Sequence, residues 1–547
     1  MPFRRLKPIL LGAVAALSLS AALPAHAEWL RAESEHFIVY GDVSEGDLRS
    51  YVRKVERFNA VLRLYYPIAN EHEAPKLEIY LAQGGTDMRR ISPSISSGIA
   101  GFYSPSAEHV YAVVDLQKSE GDKTLFHEYG HHFMLVHLPG AYPAWFVEGF
   151  AEYYSTADLT PGRIRVGIES RGRVNSLRGA VNTWVPMEVL LGRSVGQLRG
   201  QQGYGFYAQS WLLMNYMMST PERQQMLRRY LQLVLGGTES VAAMTEATGR
   251  TPQQLQLDVR SYLYLITVYT LQQPIPEAEV AIERLGSGAD DLIWLGLRMD
   301  RALGSASRLR NPDPIEAREG ETAEQTAERA ANLAEARADF LEGIALARST
   351  AARNQGDPMA ALVLAKAEMA AGEWAAATTA LEPLTAEGST HAEGLRLAGM
   401  AMLERAKADD ASDEEQAVRL RDARRLLARS LEADPADFRT YLSLNDSRQG
   451  QAGYPNDNDL NTLLAAKDYA PQVRATRYRA AEALVQAGIN QQAIELLEPI
   501  ANDPHGGSNN TTVRALLNRA LVNAGLQPDT SEAPPESDDA GEEPEGS

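Results

Sequence analysis

The stretch 127-HEYGHHFMLVH-137 is the most informative part of this chain for both its fold and its chemistry. It holds four of the ten histidines among 547 residues and opens with the pattern His-Glu-x-x-His. Because residues four apart lie on one face of an α-helix, His127 and His131 can offer ring nitrogens to one metal ion. Glu128 lies beside them, in the position of a general base for a metal-activated water. The stretch therefore predicts a helix over about 120–138 that carries a catalytic zinc site.

The residues after this helix offer a third protein ligand, which a catalytic zinc ion needs. The chain continues 139-PGAYPAWFVEGFAEYYS-155, and Pro143 is suited to the first turn of a second helix, which would carry Glu148. Gly149 removes a side chain where two helices would approach closely. Glu152 falls on the same face as Glu148 and is predicted to accept a hydrogen bond from the outer ring nitrogen of a ligand histidine.

His137 is the competing third ligand, because His127, His131 and His137 have the spacing of the extended pattern HExxHxxGxxH. That pattern needs a glycine where this chain has Met134, so that the chain can turn and bring the last histidine back. Without the glycine the helix continues, and His137 lies six residues beyond His131, on another face. We therefore favour Glu148 over His137.

The joint pattern is His-Glu-x-x-His followed by 145-WFVEGFAEYY-154, with sixteen residues between His131 and Glu148. It resembles the gluzincin metallopeptidases, including the family called peptidase MA-like. The resemblance covers about residues 28–270. It implies an α+β zincin-like metallopeptidase domain with one Zn²⁺ per chain, held by the two histidines of the pattern and Glu148, with Glu128 as the base. The spacing is slightly shorter than in the best-known aminopeptidases of that group, which leaves the connecting loop and the specificity open.

The same resemblance implies further site residues. The segment YAQSWLLMNYM, which begins at Tyr207, is similar to the one in which gluzincin aminopeptidases carry a tyrosine that stabilises the oxyanion. Tyr207 takes that role on the resemblance, Tyr204 is the fallback, and a core aromatic is the alternative. An edge strand beside the metal binds the substrate backbone in those enzymes, so Gly101, Phe102 and Tyr103 are candidate substrate-binding residues. An ordinary hairpin strand is the alternative there.

The rest of the first domain, predicted over 28–275, alternates between strand and helix patterns. Strands are predicted at 36–40 and 77–82, a helix starting near Ser44 between them, a hairpin of strands at 99–103 and 109–114 with Ser104, Pro105 and Ser106 in its turn, and helices from Pro186 to about Leu271. These elements predict a mixed-sheet subdomain up to about residue 118, then the zinc helix, and a helical subdomain up to about residue 275.

The second half of the chain is rich in alanine, leucine, glutamate and arginine, which is typical of helical repeats. Two copies of the pattern AGxxxxAxxxLEP[LI] begin at Ala371 and Ala487, 116 residues apart. The segment 422-DARRLLARSLEADP-435 resembles the second helix of a tetratricopeptide repeat with its closing proline. We therefore expect an all-α tetratricopeptide-like solenoid over about 290–525, which can bind a protein partner or the substrate polypeptide. A purely structural scaffold is the alternative.

Both ends of the chain are predicted to lie outside the folded domains. Residues 1–27 contain Arg4, Arg5 and Lys7, an apolar run and Ala-His-Ala, which predicts a secretory signal peptide, with an uncleaved membrane anchor as the alternative. No later segment is long and apolar enough to span a bilayer. Residues 528–547 contain eight acidic and no basic residues, which predicts a disordered tail. The protein is therefore expected in the periplasm or secreted, and without cysteine it has no disulfides.

The net charge of −19 and the lack of a basic stretch disfavour binding to nucleic acid. The leading hypothesis is an exported zinc peptidase that hydrolyses peptide or protein substrates through a metal-activated water, with a helical-repeat domain that recruits the substrate or a partner. The alternative is a non-catalytic binding or assembly protein that retains a metallopeptidase fold and acts through its repeats. Because Glu128 is present, the sequence shows no loss of the base.

Overall fold

The computed structural model describes residues 29–68, 74–179, 184–192, 201–318, 320–407, 412–501 and 509–528. The predicted signal peptide, and the predicted acidic tail from residue 529 onward, lie outside the described residues. The described chain consists of an N-terminal region of small sheets and helices, followed by a region that is almost entirely helical.

Two β-sheets lie in the N-terminal region. The described strands are β1 Leu30–Glu33, β2 Phe37–Gly41, β3 Leu77–Ala82, β4 Gly101–Pro105, β5 Val110–Asp115, β6 Asp158–Thr160, β7 Arg163–Val166, β8 Tyr269–Thr270 and β9 Ala281–Arg284. The larger sheet has the strand order β4-β5-β3-β2-β1-β9, and the smaller one β6-β7-β8. Strand β3 runs parallel to both β2 and β5, whereas the other pairs in the larger sheet are antiparallel.

Helices alternate with these strands and then fill the rest of the N-terminal region. They are α1 Glu45–Tyr65, α2 Gly85–Ile91, α3 Gly121–His137, α4 Ala144–Ser155, α5 Arg171–Gly179, α6 Met187–Gly192, α7 Gln201–Met218, α8 Pro221–Leu235, α9 Ser240–Thr248 and α10 Pro252–Tyr262. Ser44 caps α1 as predicted, since its side chain accepts a hydrogen bond from the backbone N–H of Asp47. No helix among those described is long and apolar enough to cross a membrane.

The C-terminal region is a series of packed helices, here called the helical array. Its members are α11 Ala289–Arg310, α12 Ala323–Arg353, α13 Pro358–Ala371, α14 Trp374–Ala380, α15 Glu382–Thr385, α16 Ala392–Ala406, α17 Asp413–Ala433, α18 Phe438–Asp446, α19 Asp457–Tyr469, α20 Arg474–Gln486, α21 Asn490–Ala501 and α22 Asn509–Asn523. Each helix packs against the next along the chain, and α11, α13, α16 and α18 also contact one another in series. These four helices therefore share one side of the array.

The sequence pattern repeated at Ala371 and Ala487 has a structural explanation. Gly372 ends α13 and Gly488 follows α20, and both adopt positive φ angles, 85° and 79°. This left-handed conformation is accessible to glycine and allows a helix to stop within one residue. The alanine five residues later, Ala377 in one copy, is fully buried. The pattern thus marks a helix, a tight turn and a second helix that packs through a small residue.

The larger sheet is covered on both faces. On β3, Ile79 and Leu81 pack with α1 and α3, whereas Tyr80 on the opposite face packs with Trp294 of α11. Alternate residues of a strand point to opposite faces, so one short strand serves both cores. Trp29 also contacts Trp294, with ring centroids 5.3 Å apart. The helical array is therefore attached to the sheet through buried aromatic side chains.

Helices α3 and α4 have the bounds expected from the sequence to within a few residues, and α4 begins directly after Pro143. Two glycines allow close packing around α4. A Cβ at Gly130 of α3 would lie 3.1 Å from Cα of Ala151, and one at Gly149 would lie 2.7 Å from the carbonyl oxygen of Ser210 in α7. Gly149 thus has the packing role that the sequence predicts.

Several short strands differ from the sequence expectation. Strand β9 lies beyond residue 275 and pairs with β1, and the sheet formed by β6, β7 and β8 was not predicted. These strands contain two to four residues, too few to show an alternating pattern. Ser104 and Pro105 belong to β4 instead of the hairpin turn, because pairing with β5 continues to Pro105.

The packing of α4 against α7 predicts a difference between two glycine substitutions. Gly149→Ala should lower the free energy of unfolding by about 1–3 kcal/mol relative to Gly172→Ala, because its Cβ meets a backbone carbonyl. Gly172 in α5 has nothing within 4 Å of an added Cβ, so this control carries the same gain in helix propensity without the clash. Chemical denaturation of both variants measures the difference, and equal stabilities would contradict the close packing.

Candidate metal centre

His127, His131 and Glu148 converge between α3 and α4. The two Nε2 atoms are 3.1 Å apart, and Oε2 of Glu148 lies 3.6 Å from Nε2 of His127 and 3.7 Å from Nε2 of His131. Within the described residues, these three side chains are the group of histidine and carboxylate donors close enough to share a metal ion.

The separations of the three donor atoms fit a zinc ion. With zinc–ligand distances of about 2.0–2.1 Å and tetrahedral angles, two ligand atoms lie about 3.3–3.4 Å apart. The observed separations run from 3.1 to 3.7 Å, on both sides of that value. Two imidazoles and one carboxylate are also a donor set of catalytic zinc sites, which keep a fourth position for water or substrate.

The candidate ligands are removed from solvent. Glu148 has no exposed surface, and His127 and His131 are each 8% exposed. A buried carboxylate loses its hydration and has to be matched by positive charge or by hydrogen bonds. A divalent cation shared with the two imidazoles would supply that charge at this position.

A second carboxylate lies on the other side of the His127 ring. Oε1 of Glu152 is 3.6 Å from Nδ1 of His127, whereas Nε2 of the same ring faces Glu148. Arg173 of α5 contacts both carboxylate oxygens of Glu152, one of them through its Nε at 3.1 Å. Glu152 therefore lies on the Nδ1 side of the His127 ring, where Arg173 holds its carboxylate, and the hydrogen bond to the ring stays a prediction.

Glu128 is partly exposed on α3, on the side of strand β4. Burial and then the nearby Glu128 carboxylate raise the pKa of Tyr103 on β4 well above its ordinary value. Burial lowers the pKa of His132 to about 3, so its ring is neutral and its Nδ1 can accept the hydrogen bond from the Tyr103 hydroxyl, at 2.8 Å. This bond connects β4 to the helix that carries the candidate ligands.

The three predicted substrate-binding residues lie on β4, which is one of the two edge strands of the larger sheet as described. Gly101 approaches β5 so closely that a Cβ would lie 2.7 Å from the carbonyl oxygen of Val113. Phe102 packs edge-on to Tyr111, with ring centroids 6.0 Å apart, and so faces away from Tyr103. Substrate binding along this strand stays a prediction.

Tyr207 lies on α7, next to the pair formed by Glu152 and Arg173. The guanidinium carbon of Arg173 is 5.6 Å from the centroid of the Tyr207 ring. The tyrosine is thus connected to the surroundings of His127, and its role as oxyanion donor stays a prediction. The side chain of the fallback residue, Tyr204, lies outside the described residues.

His137 is the last residue of α3, and its ring packs on Phe133 with centroids 4.9 Å apart. It does not belong to the group of donors that can share a metal ion in the described chain. The helix continues through Met134 without turning, as the missing glycine of the longer pattern indicates.

Sequence reasoning missed two groups of charged residues. Arg173 follows Glu152 by 21 residues, and no spacing pattern connects the two positions. His109, to which the sequence assigned no role, lies 2.9 Å from Asp300 and 3.2 Å from Glu78. Since Asp300 is 191 residues away along the chain, only the tertiary structure reveals this contact.

Comparison with known proteins adds little to the site. No protein-family model matches the chain, and no curated protein matches it. Among solved structures, a thermophilic TPR protein from Thermus thermophilus matches with 18% identity over 36% of this chain and 96% of that chain, with a TM-score of 0.29. A likeness at this level indicates neither family nor function, and the gluzincin resemblance stays a prediction.

The geometry of the centre predicts which residues bind zinc. Glu148→Ala should abolish stoichiometric zinc binding, because two imidazoles alone do not complete the site. His137→Ala is the matched control and should retain one zinc ion per chain. Metal analysis of the purified proteins after dialysis measures both, and full zinc occupancy in the Glu148 variant would assign the third ligand to another residue.

The contact between Glu152 and His127 predicts a weaker effect. Glu152→Gln should retain one zinc ion per chain at saturation but lower its affinity by about 10–100-fold, because the carboxylate that orients the ring is lost. Competition with a chelator measures the affinity. An unchanged affinity would show that Glu152 and Arg173 serve packing alone.

Proposed function

We propose that this protein is a zinc-dependent peptidase of the gluzincin type, with an α+β zincin-like domain. The observation that supports the proposal best is the group of His127, His131 and Glu148, whose donor atoms lie 3.1 to 3.7 Å from one another. The His-Glu-x-x-His pattern also contains Glu128, and glutamate is the residue type that such hydrolases use as a base.

The residues around the centre can be given distinct roles. A zinc ion held by His127, His131 and Glu148 would supply a water whose pKa is lowered to about 7 and would polarise the substrate carbonyl. Glu128 accepts the proton of the attacking water and passes it to the leaving amine, for which its partly exposed carboxylate is suited. Glu152 and Arg173 hold the His127 ring with Nε2 towards the other ligands.

A polypeptide is the substrate class that suits the strand beside the centre. As an edge strand of the larger sheet as described, β4 presents one row of backbone groups to which an extended peptide can add. Gly101, Phe102 and Tyr103 are the residues we assign to this contact. We assign stabilisation of the oxyanion to Tyr207, on the resemblance of its segment to the gluzincin aminopeptidases.

Export is part of the same proposal. The sequence of residues 1–27 has the features of a signal peptide, so we place the mature enzyme in the periplasm or outside the cell. In this setting the substrate would be an exported or extracellular polypeptide, and the helical array would add a surface for a protein partner.

A second candidate function is binding or assembly without turnover. The helical array favours it, because stacked helix pairs commonly provide surfaces for protein partners and the array contains most helices of the described chain. In this alternative the zinc site would stabilise the fold.

Substitution of the base tests the enzymatic proposal. Glu128→Gln should keep one zinc ion per chain and lower hydrolysis of a peptide library by about 10²–10⁴-fold, because proton transfer from the water is lost. Metal analysis and mass spectrometry of the digest measure the two effects, with His137→Ala as the control that should cleave normally.

Two outcomes distinguish the candidate functions. Cleavage by Glu128→Gln at the wild-type rate would contradict the assigned base. A wild-type protein that binds zinc and cleaves no peptide of the library would instead support the binding or assembly role.

A further inference from the structure

The loop between β4 and β5 is bound by the helical array. Nδ1 of His109 lies 2.9 Å from a carboxylate oxygen of Asp300 in α11, and its Nε2 lies 3.2 Å from Glu78 of β3. Arg439 of α18 donates to the carbonyl oxygen of Glu108 at 3.3 Å. The same short loop therefore contacts two helices that are separated by more than a hundred residues.

Apolar and steric contacts support this docking. Ala107 and Val110 pack against the core formed by α18 to α22. The carboxyl group of Glu108 lies beside Gly304 of α11, where an added Cβ would come within 3.0 Å of it. The hairpin thus fits the array by shape as well as by charge.

A row of alternating charges, here called the charge row, runs across the array between these two contacts. Lys366 of α13 lies 2.7 Å from Asp300 and 2.8 Å from Glu393. Arg396 lies 3.9 Å from Glu393 and 3.2 Å from Asp437. Asp437 in turn lies 2.6 Å from Arg439. The residues of the charge row come from α11, α13 and α16, from α18, and from Asp437 directly before α18. These four helices share one side of the array. We call this side the inner face.

The burial of the charge row shows why the hairpin belongs there. Asp300, Lys366, Arg396 and Asp437 are only 4% to 8% exposed. Charges removed from water are tolerated when each has a partner of opposite sign or a hydrogen bond. The hairpin supplies such partners at both ends of the row, through the ring of His109 and the carbonyl of residue 108.

The ionisation of His109 is consistent with this arrangement. Burial by itself would lower its pKa, but the carboxylates of Glu78 and Asp300 outweigh that effect and raise the pKa to about 9. Although burial opposes it, Lys366 and His109 keep the pKa of Asp300 below its ordinary value. At neutral pH His109 is therefore a cation between two carboxylates.

We propose that the inner face of the helical array is a receptor for the chain's own β4–β5 hairpin, and that this docking holds edge strand β4 beside the metal centre. The connection is short, because Tyr103 of β4 binds His132, the neighbour of the ligand His131. His109 is thus a positioning residue. The inference goes beyond the proposed hydrolase function, because the docked hairpin is held in place whether or not the protein cleaves peptides. A protein partner of the array would bind surfaces other than the inner face.

The docking should weaken at alkaline pH. The rings of Tyr80 and Tyr111 also face His109. Burial raises the pKa of Tyr80 well above its ordinary value and the pKa of Tyr111 to about 12. Both tyrosines therefore stay neutral while His109 titrates. The cations nearest to this group of residues are Lys366, whose carboxylate partners Asp300 and Glu393 raise its pKa although burial opposes them, and Arg301 and Arg439, so all three stay protonated while His109 titrates. Because the folded pKa is raised from 6.5 to about 9, the stabilisation is complete below about pH 6.5 and is lost as the pH rises through 9.

Amide hydrogen exchange of the purified full chain tests the proposal. His109→Gln should speed exchange of residues 101–109 on the order of tenfold, because the cation between the carboxylates of Glu78 and Asp300 is lost. His109→Lys should restore slow exchange. After correction for the intrinsic rate, wild-type protection of these residues should fall as the pH passes through about 9, whereas the lysine variant should keep it to higher pH.

Two further variants control the experiment. Arg348 of α12 forms an ion pair of 2.6 Å with Glu368 of α13, away from the hairpin. Arg348→Gln removes this ion pair and should leave hydrogen exchange of the hairpin unchanged. Arg439→Gln breaks the contact with the other end of the loop and should speed exchange as His109→Gln does. It also decides the test if the His109 variant does not fold.

Unchanged hairpin exchange in the Gln variants of His109 and Arg439 would overturn the proposal. Equal exchange in His109→Gln and His109→Lys would overturn the assignment of His109 as a positioning residue, because the charge at this position would then not hold the loop. Neither readout uses peptide cleavage, so a protein without hydrolase activity still gives a decisive result.

Discussion

Glu148 is fully buried between two helices, and a carboxylate in that position needs compensating charge close by. The rings of His127 and His131 lie 3.6 and 3.7 Å from it, close to the separation of about 3.3–3.4 Å between two ligands of one zinc ion. The helices can approach this closely because Gly130 and Gly149 have no side chain at the contacts of α4 with α3 and α7. The centre therefore depends on helix packing that small residues make possible.

The same requirement, that buried charges be matched, organises the contact between the two regions of the chain. Beside the centre, the positive charge of Arg173 compensates the carboxylate of Glu152. On the inner face of the array, carboxylates and cations alternate along the charge row. Strand β4 lies between these two sites. Its Tyr103 is bound to His132 of α3, and the loop that follows it is bound to the array. Strand β4 and the loop that follows it therefore contact α3 at one site and the array at the other.

Much of the centre could be predicted from local sequence. The four-residue spacing of His127 and His131, the start of α4 after Pro143 and the one-turn spacing of Glu148 and Glu152 all follow from the geometry of a regular helix. Prediction failed where no regular spacing exists. Strands of two to four residues show no alternation, and the partners Arg173 and Asp300 come from distant elements. Tyr207 lies beside Arg173, but nothing local to its segment indicates that neighbour.

The sequence by itself determined the two helices of the centre, the faces on which their histidines and glutamates lie, and the helical character of the second half. It could do so because helix periodicity and capping act over a few residues along the chain. Only the tertiary structure decided that α4 brings Glu148 to the histidines, that Arg173 holds Glu152, and that the β4–β5 loop occupies the inner face of the array. Those contacts join residues far apart in sequence, and they depend on how surfaces pack and on how buried charges find partners.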